Sequence, residues 1–297
     1  MIIMSVDMFT YKNIPMEVYE TNYNSDFWKT LKRKWDDLHE SNAIFYLAIS
    51  LSNSGMFSVF QLNPDRGSKR RDPEIIKSIV QPFNKNLFNF TKVLNEEIIM
   101  NISNQNINVS PISRYHSLIC PSINQCLPQV VTIESLILVL EIMFLCQDRN
   151  LRIGFNSLGA LASVNHLHYH ILVESQRLPV EYIVAPGFCF QIKKSEHIQK
   201  LSENVFKLIK YFLEDNIAHN LMLTHGDELN GDGSEVIRIV VWPRKIMLGE
   251  KQLRAFNVAV CEFSGWFPIF SELNRTSQMT SFSAICGWKH WMSSCAV

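Results

Sequence analysis

Apolar residues return at helical spacing twice along this chain. In SEHIQKLSENVFKLIKYFLEDN, Ile198, Leu201, Val205, Leu208, Ile209 and Phe212 fall on one face, with charged and polar residues between them. In VVTIESLILVLEIMFLC, Val130 to Cys146, the apolar run is interrupted only by polar residues such as Glu134 and Glu141. That stretch is short for a bilayer span, so it predicts a buried amphipathic helix and no membrane segment. A third helix is predicted from Asp26 to Lys34, with Phe27, Trp28 and Leu31 on one side. Elsewhere, short apolar or alternating blocks bounded by turn residues predict strands. AIFYLAISL and MFSVFQLN flank Asn53, Ser54 and Gly55, and NINVSPISRYHSLICPS reads as a hairpin around a Pro-bounded loop. GFCFQI predicts a further strand, and HNLMLTHGD with EVIRIVVWPR a second hairpin across Glu228 to Ser234. Hairpins set between helices indicate an α+β fold, an antiparallel sheet with helices packed on it. The fainter return of the pattern after residue 185 raises the prospect of two related halves.

Composition narrows the class of partner more than it changes the fold. Of 297 residues, 47% are apolar and 19% charged, as expected of a folded globular chain. Lysine plus arginine equals aspartate plus glutamate at 28 each, so no global field recruits nucleic acid or an anionic membrane. A small anionic ligand needs only a local pocket. The start, MIIMSVDMFTYK, lacks a basic region before its apolar residues and does not read as a signal peptide. Seven dispersed cysteines without a C-x-x-C pair suggest reduced thiols and a cytoplasmic home.

The densest chemistry is NHLHYHILVE, which places His166, His168 and His170 two residues apart. In a strand such residues share one face, while Leu167, Tyr169 and Ile171 turn to the other and can enter the core. Three readings stay open on the residues alone. Buried structural imidazoles would each need a polar partner. A zinc site would draw on neutral imidazoles, but i, i+2, i+4 histidines rarely close on one ion without a bend. Neither a metal nor a cofactor is expected. Nucleophilic catalysis fits a third way: a neutral imidazole attacks phosphorus, and its neighbours orient it and donate to the phosphoryl oxygens.

H-x-H-x-H with apolar residues between resembles the signature of the histidine-triad superfamily of nucleotidyl hydrolases and transferases. NSLGALASV, Asn156 to Val164, resembles the loop those proteins place before the triad, with Ser163 three residues ahead of the first histidine. VSPISRYHSLICP resembles their earlier hairpin, with His116 and Pro121 in the matching places. FQLNPDRGSKRR, QPFNKNLFNFTKV, RLPVEYI, VWPRK and FNVAVCEFSG extend the likeness to the GDP-D-glucose phosphorylase family, animal relatives of the plant GDP-L-galactose phosphorylases. It covers about Asp26 to Gly265.

The resemblance implies a nucleotidyltransferase that passes a guanylyl group from a GDP-sugar to inorganic phosphate. His168 would be the nucleophile, His166 its orienting neighbour and His170 the third catalytic histidine. Transferases of the wider superfamily usually carry glutamine at the last position and hydrolases histidine, so the triplet alone leans toward hydrolysis. The animal family carries histidine there, which restores the phosphorylase. Hydrolysis and a silent nucleotide-binding role are the alternatives. Asn156, Gly159, Ser163, Asn165, His116, Asn89 and Lys92 are the candidate substrate-binding residues. The basic run Lys69 to Arg71 reads as a solvated loop. The implied organisation is an extension over 1–25, a catalytic half over 26–185, a second half over 186–265 and a divergent tail over 266–297.

Two features depart from the family pattern. Arg114 and Tyr115 stand before His116, where the family has a small residue, usually glycine, next to the histidine. The tail lacks an acidic helical ending, and its His290, Cys286 and Cys295 are too loosely spaced to suggest a metal site.

Overall fold

A computed structural model describes residues 25–40, 49–52, 59–62, 73–102, 105–109, 112–181, 187–229, 231, 233–249 and 257–269. The expected N-terminal extension, the Lys69 to Arg71 loop, most of AIFYLAISL and the tail from 270 onward lie outside these residues.

The strands are β1 (Ile49–Ser52), β2 (Val59–Leu62), β3 (Ile98–Ile102), β4 (Gln105–Val109), β5 (Ser117–Cys120), β6 (Leu151–Asn156), β7 (Tyr169–Val173), β8 (Phe188–Ile192), β9 (Ala218–Asp227), β10 (Glu235–Arg244) and β11 (Trp266–Ile269). The helices are α1 (Asp26–Glu40), α2 (Ile133–Cys146), α3 (Ile198–Glu214) and the short α4 (Val260–Phe263). Eight strands form one sheet in the order β3-β4-β5-β7-β6-β9-β10-β8, with every pairing antiparallel. A small sheet, β1-β2-β11, joins the beginning and end of the described chain. The α+β architecture and both predicted hairpins, β4 with β5 and β9 with β10, are present.

Alternation along the strands assigns the two faces of the large sheet. Ile153, Phe155, Tyr169, Ile171, Leu221, Leu223, Ile237, Ile239 and Val241 point to one side and meet α1, α2 and α3 in the main core. Ile198, Val205, Ile209 and Phe212 of the α3 stripe are buried there, with Leu201 and Leu208 half-buried against it; α2 is apolar nearly all round rather than amphipathic, because most of its length is enclosed by the core. Helix α2 starts with a reciprocal cap: Thr132 Oγ1 accepts from Ser135 N at 3.1 Å, and Ser135 Oγ accepts from Thr132 N at 3.0 Å. Met222, Leu172, Val240 and Trp242 point to the other side, under α4. Gly154 lets α4 sit directly on the sheet, because a Cβ there would lie 2.8 Å from Val260 Cγ1.

One difference from the sequence reading concerns the triad itself. Only His170 lies within a strand; His166 falls in a bend and His168 in the two residues that lead into β7. The alternation nevertheless holds through the lead-in, with Leu167 and Tyr169 in the main core. The Leu167 amide is satisfied outside the sheet by the Leu127 carbonyl at 2.9 Å.

Candidate active site

His168 is buried, and its Nδ1 lies 2.8 Å from the carbonyl oxygen of His166. A carbonyl only accepts, so the neutral ring carries its proton on Nδ1 and leaves a lone pair on Nε2. Burial lowers the His168 pKa to about 4, against the backbone bond to His166, which favours the charged ring. The imidazole is therefore neutral and nucleophilic near pH 7. His166 has the opposite tautomer, because its Nδ1 accepts from Phe90 N at 3.1 Å. Its pKa is also lowered to about 4, mainly by burial, with a backbone hydrogen bond at Ile123 acting the other way.

His170 belongs to a second chain of donors. Ile112 N donates to His116 Nδ1 at 3.3 Å, and His116 Nε2 lies 3.2 Å from His170 Nδ1. With both rings neutral, His116 donates through Nε2 and the His170 proton is held on Nε2. One histidine of the group thus offers a lone pair and another an N–H. The His168 and His170 ring centroids are 5.3 Å apart, and Phe90 lies 5.0 Å from His168. Fully buried His116 stands behind His170, with Trp35 Nε1 of α1 donating to its carbonyl at 3.3 Å.

The remaining sequence candidates are each engaged with neighbouring protein groups. Asn165 is buried: its Oδ1 accepts from Gln129 N at 2.9 Å, and its Nδ2 donates to the Gln81 and Pro82 carbonyls, each at 2.9 Å. Asn156 Oδ1 accepts from Asn220 Nδ2 at 2.6 Å and Val260 N at 2.8 Å, tying the end of β6 to β9 and α4. Gly159 has φ +73°, and a Cβ there would lie 2.7 Å from Ile246 Cγ1, so hydrocarbon occupies the space a side chain would need. Half-buried Ser163 receives the Glu74 amide on its carbonyl at 2.9 Å. Asn89 caps the turn that presents Phe90, its Oδ1 accepting from Thr91 N at 3.2 Å. Exposed Lys92 donates to the Leu87 carbonyl at 2.6 Å.

Several residues around the site carried no role in the sequence reading. Buried Gln129 bonds to both backbone groups of His168, and Glu74 receives the Asn165 amide at 3.1 Å. Arg244, in the VWPRK motif, approaches Asn220 Oδ1 at 3.4 Å. Among the described residues, no group of three or more His, Cys, Asp or Glu is arranged to hold a metal ion. No helix among them is long and apolar enough to cross a membrane.

The unusual Tyr115 has a structural counterpart. Its φ is +63°, the left-handed region in which glycine is favoured. The ring packs edge-on against Trp35 at 5.4 Å, and its hydroxyl donates to Asp36 at 3.3 Å. The side chain therefore fastens α1 to the turn before His116.

The match to known proteins runs through both halves of this fold. A family model described as GDPGP1-like, N-terminal domain, matches residues 26–172, and the corresponding C-terminal domain model matches 178–277. GDP-D-glucose phosphorylase 1 of Xenopus laevis is 31% identical, over 84% of this chain and 80% of its own length. The chain belongs to the GDP-D-glucose phosphorylase family. The Homo sapiens member is 34% identical over 74% of this chain and 65% of its own length. Outside the animal family, GDP-L-galactose phosphorylase 2 of Arabidopsis thaliana is 31% identical over 59% of this chain and 48% of its own. The crystal structure of yeast Ap4A phosphorylase superposes with a TM-score of 0.58 at 12% identity, covering 92% of this chain and 94% of that one. That likeness is one of fold.

Four buried histidines with lowered pKa values, two of them outside the triad, predict a steep acid response. Burial lowers His219 to about 4 and His225 to about 3, the latter helped by the Arg152 charge. In the unfolded chain each titrates near 6.5. A lowered folded pKa means that the unfolded state binds the extra proton first. Stability is therefore intact above about pH 6.5 and falls as pH drops toward 4, by up to ~1.4 kcal/mol per pH unit for each histidine. Urea midpoints measured from pH 7.5 downward are expected to fall steeply below about pH 6.5. A midpoint constant down to pH 5 would sink this account.

Proposed function

We propose that this chain catalyses phosphorolysis of GDP-D-glucose to GDP and glucose 1-phosphate through a guanylyl intermediate on His168. The observation that carries the proposal is the His168 Nδ1 to His166 carbonyl bond, which leaves Nε2 as a lone-pair nucleophile, in a chain of this family. Nε2 attacks the α-phosphorus, a nitrogen–phosphorus bond forms, and the bond from that phosphorus to the bridging oxygen breaks. Glucose 1-phosphate leaves with the β-phosphate. Inorganic phosphate then attacks the same phosphorus, the nitrogen–phosphorus bond breaks, and GDP departs from a regenerated imidazole. Two displacements replace one harder step. His170, holding its proton on Nε2, donates to the oxygens on which charge develops.

The physiological sense we give the reaction is removal of GDP-glucose formed by mistake alongside GDP-mannose. We place it in the cytosol, a reading supported by Cys126, Cys146 and Cys189, which are free thiols. In this reading the catalytic half over 26–185 supplies the histidines, and the half over 186–265 meets it at Asn156 through Asn220 and α4.

Intact-mass spectrometry after incubation with GDP-glucose, with and without phosphate, tests the reading. A guanylyl adduct that phosphate discharges as GDP is expected. The protonated Nε2 of His170 favours hydrolysis as a second reading, and an adduct lost to water at a rate indifferent to phosphate would replace the phosphorylase with it. Folded protein giving neither adduct nor product would overturn both.

A further inference from the structure

We infer that Gln129 is a positioning residue for His168, fixing its tautomer and the direction of its attacking nitrogen; this rests on His168 being the nucleophile. Gln129 sits in the loop between β5 and α2 and is fully buried. Its side-chain oxygen accepts from His168 N at 2.8 Å, and its Nε2 donates to the His168 carbonyl at 3.1 Å and to the Asn156 carbonyl at 2.9 Å. One planar amide thus grips the backbone of the nucleophile on both sides and spends both of its N–H bonds on carbonyls. The loop is itself held: Gln129 N donates to Asn165 Oδ1 at 2.9 Å, and Ser135 Oγ in the first turn of α2 lies 2.7 Å from Tyr169 Oη.

The grip matters because the His168 ring has a single backbone partner at Nδ1. The 2.8 Å bond to the His166 carbonyl survives only while the peptides on either side of His168 keep their orientation. If they turn, the proton is free to move to Nε2, and the attacking atom loses its lone pair. An acceptor alone cannot replace the amide. A glutamate at this position would set a carboxylate against two carbonyls and lose both donated bonds.

The test pairs Gln129→Met, which keeps the length and removes the hydrogen bonds, with Gln129→Glu, which keeps the shape and removes the donors. In each folded variant kcat should fall on the order of 10²-fold with KM for GDP-glucose little changed, as for a displaced catalytic group. Nitrogen-15 spectra of the ligand-free histidines should move His168 from a single Nδ1-protonated form to a mixture of tautomers. If Gln129→Met does not fold, Gln129→Glu carries the test. A folded variant with wild-type kcat, or a fall in kcat with the His168 tautomer unchanged, overturns the assignment. The spectra need no turnover, so a failed adduct experiment on the wild type would strike the nucleophile reading separately.

Discussion

His168→Ala is expected to lower phosphorolysis of GDP-glucose on the order of 10⁴- to 10⁶-fold, the range found when a covalent nucleophile is deleted. The loss should fall on kcat, since the ring contributes to bond making rather than to holding the sugar. No guanylyl adduct should form at any phosphate concentration. The fold should tolerate the change, because the backbone groups of His168 bond to Gln129 and are untouched by truncation. His170→Gln is the informative partner. Glutamine there still donates a hydrogen bond but cannot give up a proton, so phosphorolysis should outlast it far better than it outlasts His168→Ala. Equal losses in the two variants would mean that His168 has no special role.

The second large effect concerns stability. Glu181→Ala should destabilise the chain by about 3–5 kcal/mol, the range for leaving a buried charge without its partner. Glu181 Oε1 accepts from Arg152 Nε at 2.8 Å, Arg152 Nη2 at 2.5 Å and Thr224 Oγ1 at 3.2 Å. Its backbone carbonyl accepts from Arg238 Nη1 at 3.2 Å. Arg152 is buried and spends its other N–H groups on the Asn150, Glu174 and Gln176 carbonyls. Removing the carboxylate therefore strands a guanidinium that has no water to turn to. The surface pair Arg33–Asp37, with both side chains at least 60% exposed, is the control. Asp37→Ala should cost no more than about 0.5 kcal/mol. Urea midpoints measure both, and similar shifts would sink the distinction.

The elements were legible wherever a periodic pattern ran long. The stripe of α3 and the apolar run of α2 announced their helices, and alternation announced β4 with β5 and β9 with β10. The triad was legible because three histidines at two-residue spacing are hard to explain as core. What the spacing could not report was that β7 begins only at Tyr169, after a bend that ends at His166, since strand pairing depends on partners far along the chain. Nor could it report hydrogen-bond direction. Asn156 and Asn165 stood out as polar residues beside the triad, yet their amides are engaged with neighbouring protein groups. Gln129 carried no signal, being a single polar residue between Pro128 and an apolar run. Its role depends on three carbonyl and amide groups brought to it from residues 156 and 168, and such convergence is a property of the fold. Arg114 and Tyr115 worked the other way. Their oddity before His116 was visible in the letters, and the left-handed backbone at Tyr115 gives it a physical meaning.

The junction between β6 and β9 bears on how separable the two halves are. The two family models abut between residues 172 and 178, which invites treating the chain as a pair of modules to be cut, swapped or expressed alone. The sheet does not break there. β6 pairs with β9 from Ile153 opposite Leu223 to Asn156 opposite Asn220, with Arg152 and Glu181 buried at one end of that seam and Asn156 at the other. A shortened chain ending after the triad would carry every proposed catalytic histidine and yet expose the whole backbone edge of β6, an open invitation to self-association. All the proposed chemistry lies in the first module, but the sheet that holds it is completed by the second.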